Sequence, residues 1–279
     1  MSERGKPRPA LFRALGKQEP PSFVEIDGET FHLLELFKHD SWAATAIYQG
    51  GAKKVVCKFN RQQSVLGFPM KWLGRWLARR EAGHYRRLAD LPSVPRLCGP
   101  VMLNGMELRF AVAHDFVEGH PLGRYEVVGE AFIHELKTAF EEVHRRQMAY
   151  VDLHKRENIL VGADGKPHLI DFQVSFMLPE PTGLLGPFQR WFLRQLQWID
   201  NYHLRKHERK LRTSLGEGTQ ALPAKPWWIR LHRLVARPLR EARRRLLVLL
   251  GVRKNQGRAT SEHFAEDAVR HGDHAKRAA

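Results

Sequence analysis

Cysteine is scarce in this sequence, and long apolar runs are missing from it. Its 279 residues include only two cysteines, Cys57 and Cys98, which lie far apart and each within an apolar run. This argues against a disulfide scaffold and against a zinc site, and it favours a reducing compartment. No run reaches the roughly 20 apolar residues of a membrane-spanning helix, and residues 1–22 lack the apolar core of a secretory signal. We therefore expect a cytoplasmic protein.

Acidic residues are also in short supply. Lysine and arginine number 46 against 30 aspartates and glutamates, which gives a formal net charge of +16. Such a balance favours anionic partners, whether nucleic acid, an anionic membrane or a phosphorylated compound. Residues 184–258 hold eighteen of the basic residues and only four acids, with aromatic residues between them.

Within this basic third, residues 229–252 predict a helix with leucines recurring near one side and arginines between them. A basic amphipathic helix can lie in an anionic membrane interface, yet the same leucine spacing packs cores routinely. Both interpretations stay open. His203 and His207 are four residues apart and could chelate a metal, but no third ligand is nearby, so we expect a surface pair.

Three oxygen-bearing side chains mark the stretch over residues 150–172. Asp152 opens a polar loop and Asn158 closes it, before a short apolar strand. An Asp-Gly pair then predicts a tight turn, and a second strand ends in Asp171. A loop followed by a hairpin would bring the three side chains to one edge. Mg²⁺ prefers a few carboxylate and carbonyl oxygens together with water and phosphate, so this edge is a candidate metal and phosphate site.

This stretch resembles the catalytic and metal loops of the protein-kinase-like superfamily, whose signature is H-R-D-x-x-x-x-N followed by D-F-G. The corresponding tripeptides here are YVD at residues 150–152 and DFQ at residues 171–173, and the interval of thirteen from Asn158 to Asp171 is the usual one. The interval of six from Asp152 to Asn158 is one longer than the signature allows. These departures make the chain more similar to bacterial lipopolysaccharide-core (Kdo/heptose) kinases and RIO-type atypical kinases than to ordinary eukaryotic protein kinases.

The resemblance extends over roughly residues 23–175 through the order of predicted elements. We expect antiparallel strands at residues 23–26, 31–37, 43–48, 55–59 and 108–116, and helices at residues 70–88 and 130–148. Kinase-like folds place their phosphate-binding lysine in a V-x-x-K strand, which here ends in Lys58. Glu81 is the only carboxylate between Lys58 and Asp90. It is therefore the expected partner of Lys58, and a surface pair with Arg86 is the alternative.

Two further segments are expected near the nucleotide. Residues 115–122 resemble the connection between the kinase lobes, whose backbone amide and carbonyl hold the adenine. The resemblance makes Glu118 a cofactor-binding residue, although a generic loop accounts for this segment nearly as well. Residues 36–44, which would cover the phosphates, contain no glycine, so the glycine-rich loop of the family is absent. Small side chains there could still let the backbone approach phosphate. Lys38 or His39 is either an electrostatic substitute or, as we favour, a solvated turn residue.

These features predict an α+β, two-lobed protein-kinase-like fold. We expect a small antiparallel-sheet N-lobe over residues 21–116 and a mostly helical C-lobe over residues 117–254. A disordered leader over residues 1–20 would precede them, and a disordered tail over residues 255–279 would follow.

The resemblance implies an ATP- and Mg²⁺-dependent phosphotransferase. Lys58, held by Glu81, would bind the α- and β-phosphates. Asn158 and Asp171 would hold the metal, and Asp152 would orient the acceptor hydroxyl and take its proton. The expected acceptor is a sugar of a membrane-associated glycan such as the lipopolysaccharide core, reached by peripheral contact with the inner face of the cell membrane. The alternatives are a RIO-type serine/threonine protein kinase and a pseudokinase scaffold that binds nucleotide or anionic membrane, and nucleic acid is a less favoured partner.

Overall fold

An antiparallel sheet of seven strands occupies the first half of the chain. The computed structural model describes residues 9–65, 67–123, 126–178 and 186–214. The strands are β1 (Phe23–Ile26), β2 (Glu29–His39), β3 (Ala43–Gly50), β4 (Lys53–Asn60), β5 (Met102–Leu103), β6 (Met106–Glu107) and β7 (Ala111–Asp115). Their order across the sheet is β6-β5-β1-β2-β3-β4-β7, and every neighbouring pair is antiparallel.

Short turns and two irregularities shape this sheet. Asp27 and Gly28 form the two-residue connection between β1 and β2, and both have positive φ, as a tight hairpin turn requires. The β2–β3 register shifts between Leu33 and Glu35 and again between Leu36 and Lys38. Because an extra residue on one strand bends it and increases its twist, these shifts curl the sheet.

The alternation of β4 fixes the direction of its lysine. Val55, Cys57 and Phe59 are fully buried in the apolar core of the sheet. Since successive side chains of a strand point to opposite faces, Lys58 points to the other face. Helix α1 (Lys71–Arg87) packs against β4 and β7.

Helices and short strands follow in the second half of the chain. In order they are β8 (Gly119–Pro121), α2 (Glu130–Arg145), β9 (Met148–Ala149), β10 (Ile159–Gly162), β11 (Pro167–Leu169), β12 (Phe176–Met177) and α3 (Gly186–Ser214). Strands β11, β10 and β8 form one small sheet, and β12 pairs with β9. The buried residues of α2 recur at the spacing of one helix face and enter a second apolar core. The class is therefore α+β, with antiparallel pairing throughout the described sheets.

The predicted elements differ from the observed ones in three places. The helix expected over residues 130–148 ends at Arg145, and Met148 begins strand β9. The strand expected over residues 108–116 begins only at Ala111, because Leu108 accepts the Ala111 N–H at 2.7 Å and closes a turn. Helix α3 was not predicted. The helix expected over residues 229–252 and the tail over residues 255–279 lie outside the described residues.

The N-terminal segment also differs from the expected disordered leader. From residue 9 the chain folds against the sheet, with a short 3-10 helix at Ala10–Phe12 followed by two buried residues, Ala14 and Leu15. The Ala14 N–H donates to the Asp40 carbonyl at 2.6 Å, and Leu15 joins the core of the sheet. Burial of these apolar groups offsets the entropy of ordering the segment.

None of the described helices combines the length and the apolarity that crossing a membrane requires.

Candidate active site

Lys58 lies between two carboxylates. It stands in β4 opposite Val112 of β7, and its residue is only 8% exposed. Its Nζ donates to Glu81 Oε1 at 3.0 Å and to Asp171 Oδ1 at 2.6 Å. The predicted contact between Lys58 and Glu81 is thus confirmed, and Asp171 completes a group of one lysine and two carboxyl groups, which we call the Lys58 cluster.

The two carboxylates of the Lys58 cluster differ in their environment. Burial raises the pKa of Glu81 to about 7, with Lys58 opposing the shift and Asp171 adding to it. Burial would also raise the pKa of Asp171, but the charge and hydrogen bond of Lys58 hold it at about 2. The Asp171 side chain keeps 37% of its surface exposed. Glu81 therefore serves as a buried support, and Asp171 is an ionised carboxylate that a ligand can reach.

Contacts from α1 fix Glu81 relative to Asp171. The His84 ring donates from Nδ1 to the Phe172 carbonyl at 2.9 Å, and Arg80 donates to the Ser175 carbonyl at 2.6 Å. Burial lowers the pKa of His84 to about 4, so the ring is neutral at pH 7. The helix that carries Glu81 is therefore hydrogen-bonded to the segment that directly follows Asp171.

A chain of aromatic rings connects α1 with the loop that precedes Asp152. Phe172 meets Tyr85 edge-on at 5.1 Å and Tyr150 edge-on at 5.2 Å, and Phe140 of α2 meets Tyr150 at 5.7 Å. All four rings are buried. The Tyr150 hydroxyl donates to the Ile170 carbonyl. Edge-on contacts between buried rings are favourable, so they hold Tyr150, shortly before Asp152, beside Phe172, directly after Asp171.

Asp152 and Asn158 contact each other inside the polar loop. The Asn158 amide Nδ2 donates to Asp152 Oδ2 at 3.2 Å, and Lys155 Nζ donates to the same oxygen at 2.7 Å. His154 Nδ1 lies 3.2 Å from Asp152 Oδ1. Burial would lower the pKa of Lys155, but the hydrogen bond and charge of Asp152, together with Asp171, raise it above its ordinary value. Lys155 is thus a cation at neutral pH beside the candidate base.

The backbone before Asp152 is strained. Val151 has φ 69° and is the centre of a three-residue turn in which the Asp152 N–H donates to the Tyr150 carbonyl at 2.8 Å. Such a turn is rare, and positive φ is unfavourable for a β-branched residue. Asp200 of α3, fully buried, holds the turn by accepting the N–H of Tyr150 at 2.6 Å and of Val151 at 2.8 Å. Strain held in this way by a distant side chain is common at functional sites.

Asn158 and Asp171 are joined through the β10–β11 hairpin. Ile159 pairs with Leu169, and the Ile170 N–H donates to the Asn158 carbonyl at 3.1 Å. The predicted edge therefore exists: backbone and side-chain contacts connect Asp152, Asn158 and Asp171, and Asp171 contacts Lys58.

The oxygen donors at this edge suit a magnesium–nucleotide complex. Asn158 uses its amide nitrogen on Asp152, and its side-chain oxygen accepts no hydrogen bond from the described residues. Lys58 engages only Oδ1 of Asp171. Mg²⁺ usually takes one or two protein oxygens and fills its remaining positions with water and phosphate. Within residues 9–65, 67–123, 126–178 and 186–214, no cluster of three or more His, Cys, Asp or Glu side chains could hold a metal without such help.

Glu118 is not part of this cluster. Its exposed side chain forms an ion pair with Lys54 at 2.8 Å, and it makes no hydrogen bond or ion pair with Lys58, Asp152 or Asp171. Because the adenine contact expected of this segment is made by backbone groups, the ion pair of the side chain with Lys54 does not bear on the role predicted for Glu118. Its backbone carbonyl accepts the Ala163 N–H at 2.8 Å, which ties the connection between the large sheet and the second half to the β10–β11 hairpin.

The glycine-free turn between β2 and β3 is capped by a carboxylate. Asp40 Oδ1 accepts the N–H of Trp42 at 2.7 Å and of Ala43 at 3.0 Å. Two amides that could have faced a phosphate are therefore already engaged. Lys38 forms an ion pair with Asp40 at 2.7 Å, with half of its side chain exposed, whereas the His39 side chain is largely buried and accepts the Leu15 N–H at 3.2 Å.

His207 is not half of a surface pair, as the sequence had suggested. It is buried on α3, and its Nε2 donates to the Leu153 carbonyl at 2.7 Å. Burial lowers its pKa to about 4. His207 thus supports the polar loop from behind, as Asp200 does.

No family model and no curated protein matches this chain. An activity must therefore be inferred from the residues and their geometry.

Proposed function

We propose that the chain is an ATP- and Mg²⁺-dependent phosphotransferase with a two-lobed, protein-kinase-like fold. The N-lobe would be the seven-stranded sheet with α1, and the C-lobe the part that follows residue 116. The observation that carries the proposal is the Lys58 cluster, in which Nζ contacts Glu81 at 3.0 Å and Asp171 at 2.6 Å. A buried lysine between two acids, with a third acid and an amide in the neighbouring loop, is the arrangement that kinase phosphoryl transfer uses.

Each residue of the site then has a role. Lys58 binds the α- and β-phosphates, with Glu81 holding its ammonium group in place. Asn158 and Asp171 hold Mg²⁺, which when bound neutralises charge on the phosphate oxygens. Asp171 is suited to this role because its low pKa keeps it ionised and its side chain is partly exposed.

Asp152 acts on the acceptor. It orients the hydroxyl group and takes its proton while the hydroxyl oxygen forms a bond to the γ-phosphorus of ATP. The bond from this phosphorus to the bridging oxygen breaks, and ADP leaves with the electron pair. Lys155, whose Nζ donates to Asp152 at 2.7 Å, supplies positive charge near the transferred group.

We propose a hydroxyl of a membrane-associated glycan, such as a lipopolysaccharide-core sugar, as the acceptor. The net charge of +16 favours an anionic, surface-bound substrate over a neutral one. A RIO-type protein kinase would use the same catalytic residues on a protein hydroxyl.

One observation favours a non-catalytic alternative. The phosphate-covering turn is glycine-free and its amides at Trp42 and Ala43 are engaged by Asp40. A pseudokinase scaffold would bind nucleotide at Lys58 and Asp171 without transferring phosphate.

Phosphate transfer from labelled ATP distinguishes these possibilities. The full chain is incubated with Mg²⁺ and either lipid-linked glycans or protein substrates, beside an Asp152→Ala variant and an Asp164→Ala control from the exposed β10–β11 turn. We expect transfer that needs Mg²⁺, is lost in Asp152→Ala and persists in the control. General-base catalysis contributes roughly 10²- to 10⁴-fold, so a loss of that size is expected. ATP binding without transfer to any acceptor would favour the scaffold, and equal turnover in Asp152→Ala would contradict the assigned base.

A further inference from the structure

The outer face of α1 carries positive charge that the protein does not neutralise. The helix contains six lysines and arginines and a single acid, Glu81, which points inward to Lys58. The side chains of Lys71, Arg75, Arg79 and Arg86 form no hydrogen bond or ion pair with any other described residue. At 3.6 residues per turn, the three arginines fall within an arc of about 40° opposite Glu81. This charge is therefore available to an anionic partner.

Two tryptophans extend the same face. Trp72 is 64% exposed and Trp76 is 49% exposed, and Phe68, just before the helix, is 72% exposed. Trp72 and Trp76 are four residues apart and so lie one above the other beside Arg75 and Arg79. The guanidinium of Arg80 lies 5.0 Å from the centre of the Trp76 ring and supports it from the inner side.

A cavity adjoins the arginines. It lies between α1, the segment over residues 97–101 and strands β6 and β7, and it has a volume of about 700 Å³, within the roughly 300–1,000 Å³ of small-molecule sites. Arg75, Arg79, Arg86 and Arg109 line its polar side, and Leu97 and Val112 are among its apolar residues. The only acid among its lining residues is Glu107, 3.4 Å from Arg109. The cavity thus combines a cationic rim with an apolar wall and suits an anionic amphiphile.

We infer that this face of α1, with Phe68, Trp72, Trp76, Arg75, Arg79 and Arg86, docks on an anionic phospholipid bilayer, with lipid phosphate groups bound at the arginine-lined cavity. Exposed tryptophans beside unpaired basic residues favour a membrane interface, because the indole ring prefers the headgroup region and the cations attract anionic lipid. Since Glu81 lies on the opposite face, docking leaves the Lys58 cluster uncovered. The inference does not depend on phosphotransferase activity.

Sedimentation of the full chain with lipid vesicles tests this docking. The vesicles contain phosphatidylcholine alone or phosphatidylcholine with about 30% phosphatidylglycerol. The comparison isolates the contribution of anionic lipid to binding. The variants are Arg75→Gln with Arg79→Gln, and Trp72→Ala with Trp76→Ala. The matched control is Arg205→Gln with Arg209→Gln, an i, i+4 pair on α3. The substituted positions are exposed except Arg209, which is partly buried, and circular dichroism verifies that each variant is folded.

We expect the partition coefficient on anionic vesicles to fall about 10- to 30-fold in the arginine variant, from two cations at ~1 kcal/mol each. A similar or smaller fall is expected in the tryptophan variant, and no change in the control. Undiminished binding of both α1 variants would overturn the inference. The inference would also be overturned if vesicle binding were lost only in a variant with Phe188→Ala and Trp191→Ala on α3. The same holds if the arginine variant bound polyglutamate less tightly than the unmodified chain but bound vesicles equally well.

Discussion

The Lys58 cluster and the Asp152 loop form two sides of one site but are built differently. The Lys58 cluster joins side chains from three separate elements by ion pairs, with Glu81 and Lys58 almost fully buried. The Asp152 loop is local in sequence, and its strained turn is held from behind by Asp200. The integrity of the first side depends on charge balance, whereas that of the second depends on hydrogen bonds to a backbone that would otherwise relax. Four substitutions test this difference.

Lys58→Met should have the largest effect on stability. It leaves the half-buried carboxylate of Asp171 without its countercharge and the buried Glu81 without its hydrogen-bond donor, and breaking a buried ion pair from one side costs roughly 3–5 kcal/mol. We expect about 3 kcal/mol in the free energy of unfolding, measured with urea, because Asp171 remains partly exposed. Lys53→Met, at the exposed start of β4, is the control and should leave the midpoint nearly unchanged. Equal midpoints for the two variants would show that charge balance is not what holds the Lys58 cluster.

Asp200→Asn should destabilise the other side of the site. The amide has one acceptor oxygen where the carboxylate had two, and its NH₂ group faces a backbone N–H. Loss of hydrogen bonds to a charged group costs roughly 1.5–3 kcal/mol. We therefore expect the free energy of unfolding, measured with urea, to fall by about 2 kcal/mol. Hydrogen exchange should accelerate at residues 150–152 more than in β4. Slower or unchanged exchange in that turn would contradict the role given to Asp200.

The same side should be sensitive to acid through His207. Its pKa is 6.5 ordinarily and about 4 in the folded chain. Below pH 6.5 His207 is therefore protonated in the unfolded chain but stays neutral in the folded chain. The free energy of unfolding falls as the pH decreases toward 4. Linkage gives a loss of about 1–2 kcal/mol between pH 7 and pH 5. His207→Gln keeps an N–H donor for the Leu153 carbonyl but cannot titrate, so it should reduce this loss. An unchanged pH dependence would refute the assignment.

Glu81→Gln should have the smallest effect on stability. Because the pKa of Glu81 is about 7, the carboxyl is partly protonated at neutral pH, and glutamine can still accept a hydrogen bond from Lys58. We expect a change of less than about 1 kcal/mol at pH 7, which is small for a buried site. A loss as large as that of Lys58→Met would mean that Glu81 is fully ionised in the fold.

How far the sequence predicts this molecule depends on how local each feature is. The spacing of Asp152, Asn158 and Asp171 and the Asp-Gly turn are local, and they predicted a shared edge. Glu81 could be found because it is the only acid in a basic helix. Asp200 was missed for two reasons. It lies in α3, a helix that was not predicted, and its partners are backbone amides about 50 residues earlier in the chain.

Two other differences have physical causes of the same kind. The Glu118 side chain pairs with Lys54 of the neighbouring strand β4, 64 residues earlier in the chain, a contact that no local pattern indicates. Residues 9–20 contain two prolines and several charged residues, yet Ala14 and Leu15 are buried against the sheet. Lys155 lies within the predicted loop, and only the folded structure shows that it contacts Asp152.

Isothermal titration of ATP into the full chain tests the central claim most directly. If Lys58, Asp171 and Asn158 form one magnesium–nucleotide site, binding should require Mg²⁺ and should be lost in Asp171→Asn. Asp164→Asn, a control in the neighbouring turn, should bind as the unmodified chain does. Binding that is equal in Asp171→Asn and the unmodified chain, or absent from both, would contradict the account.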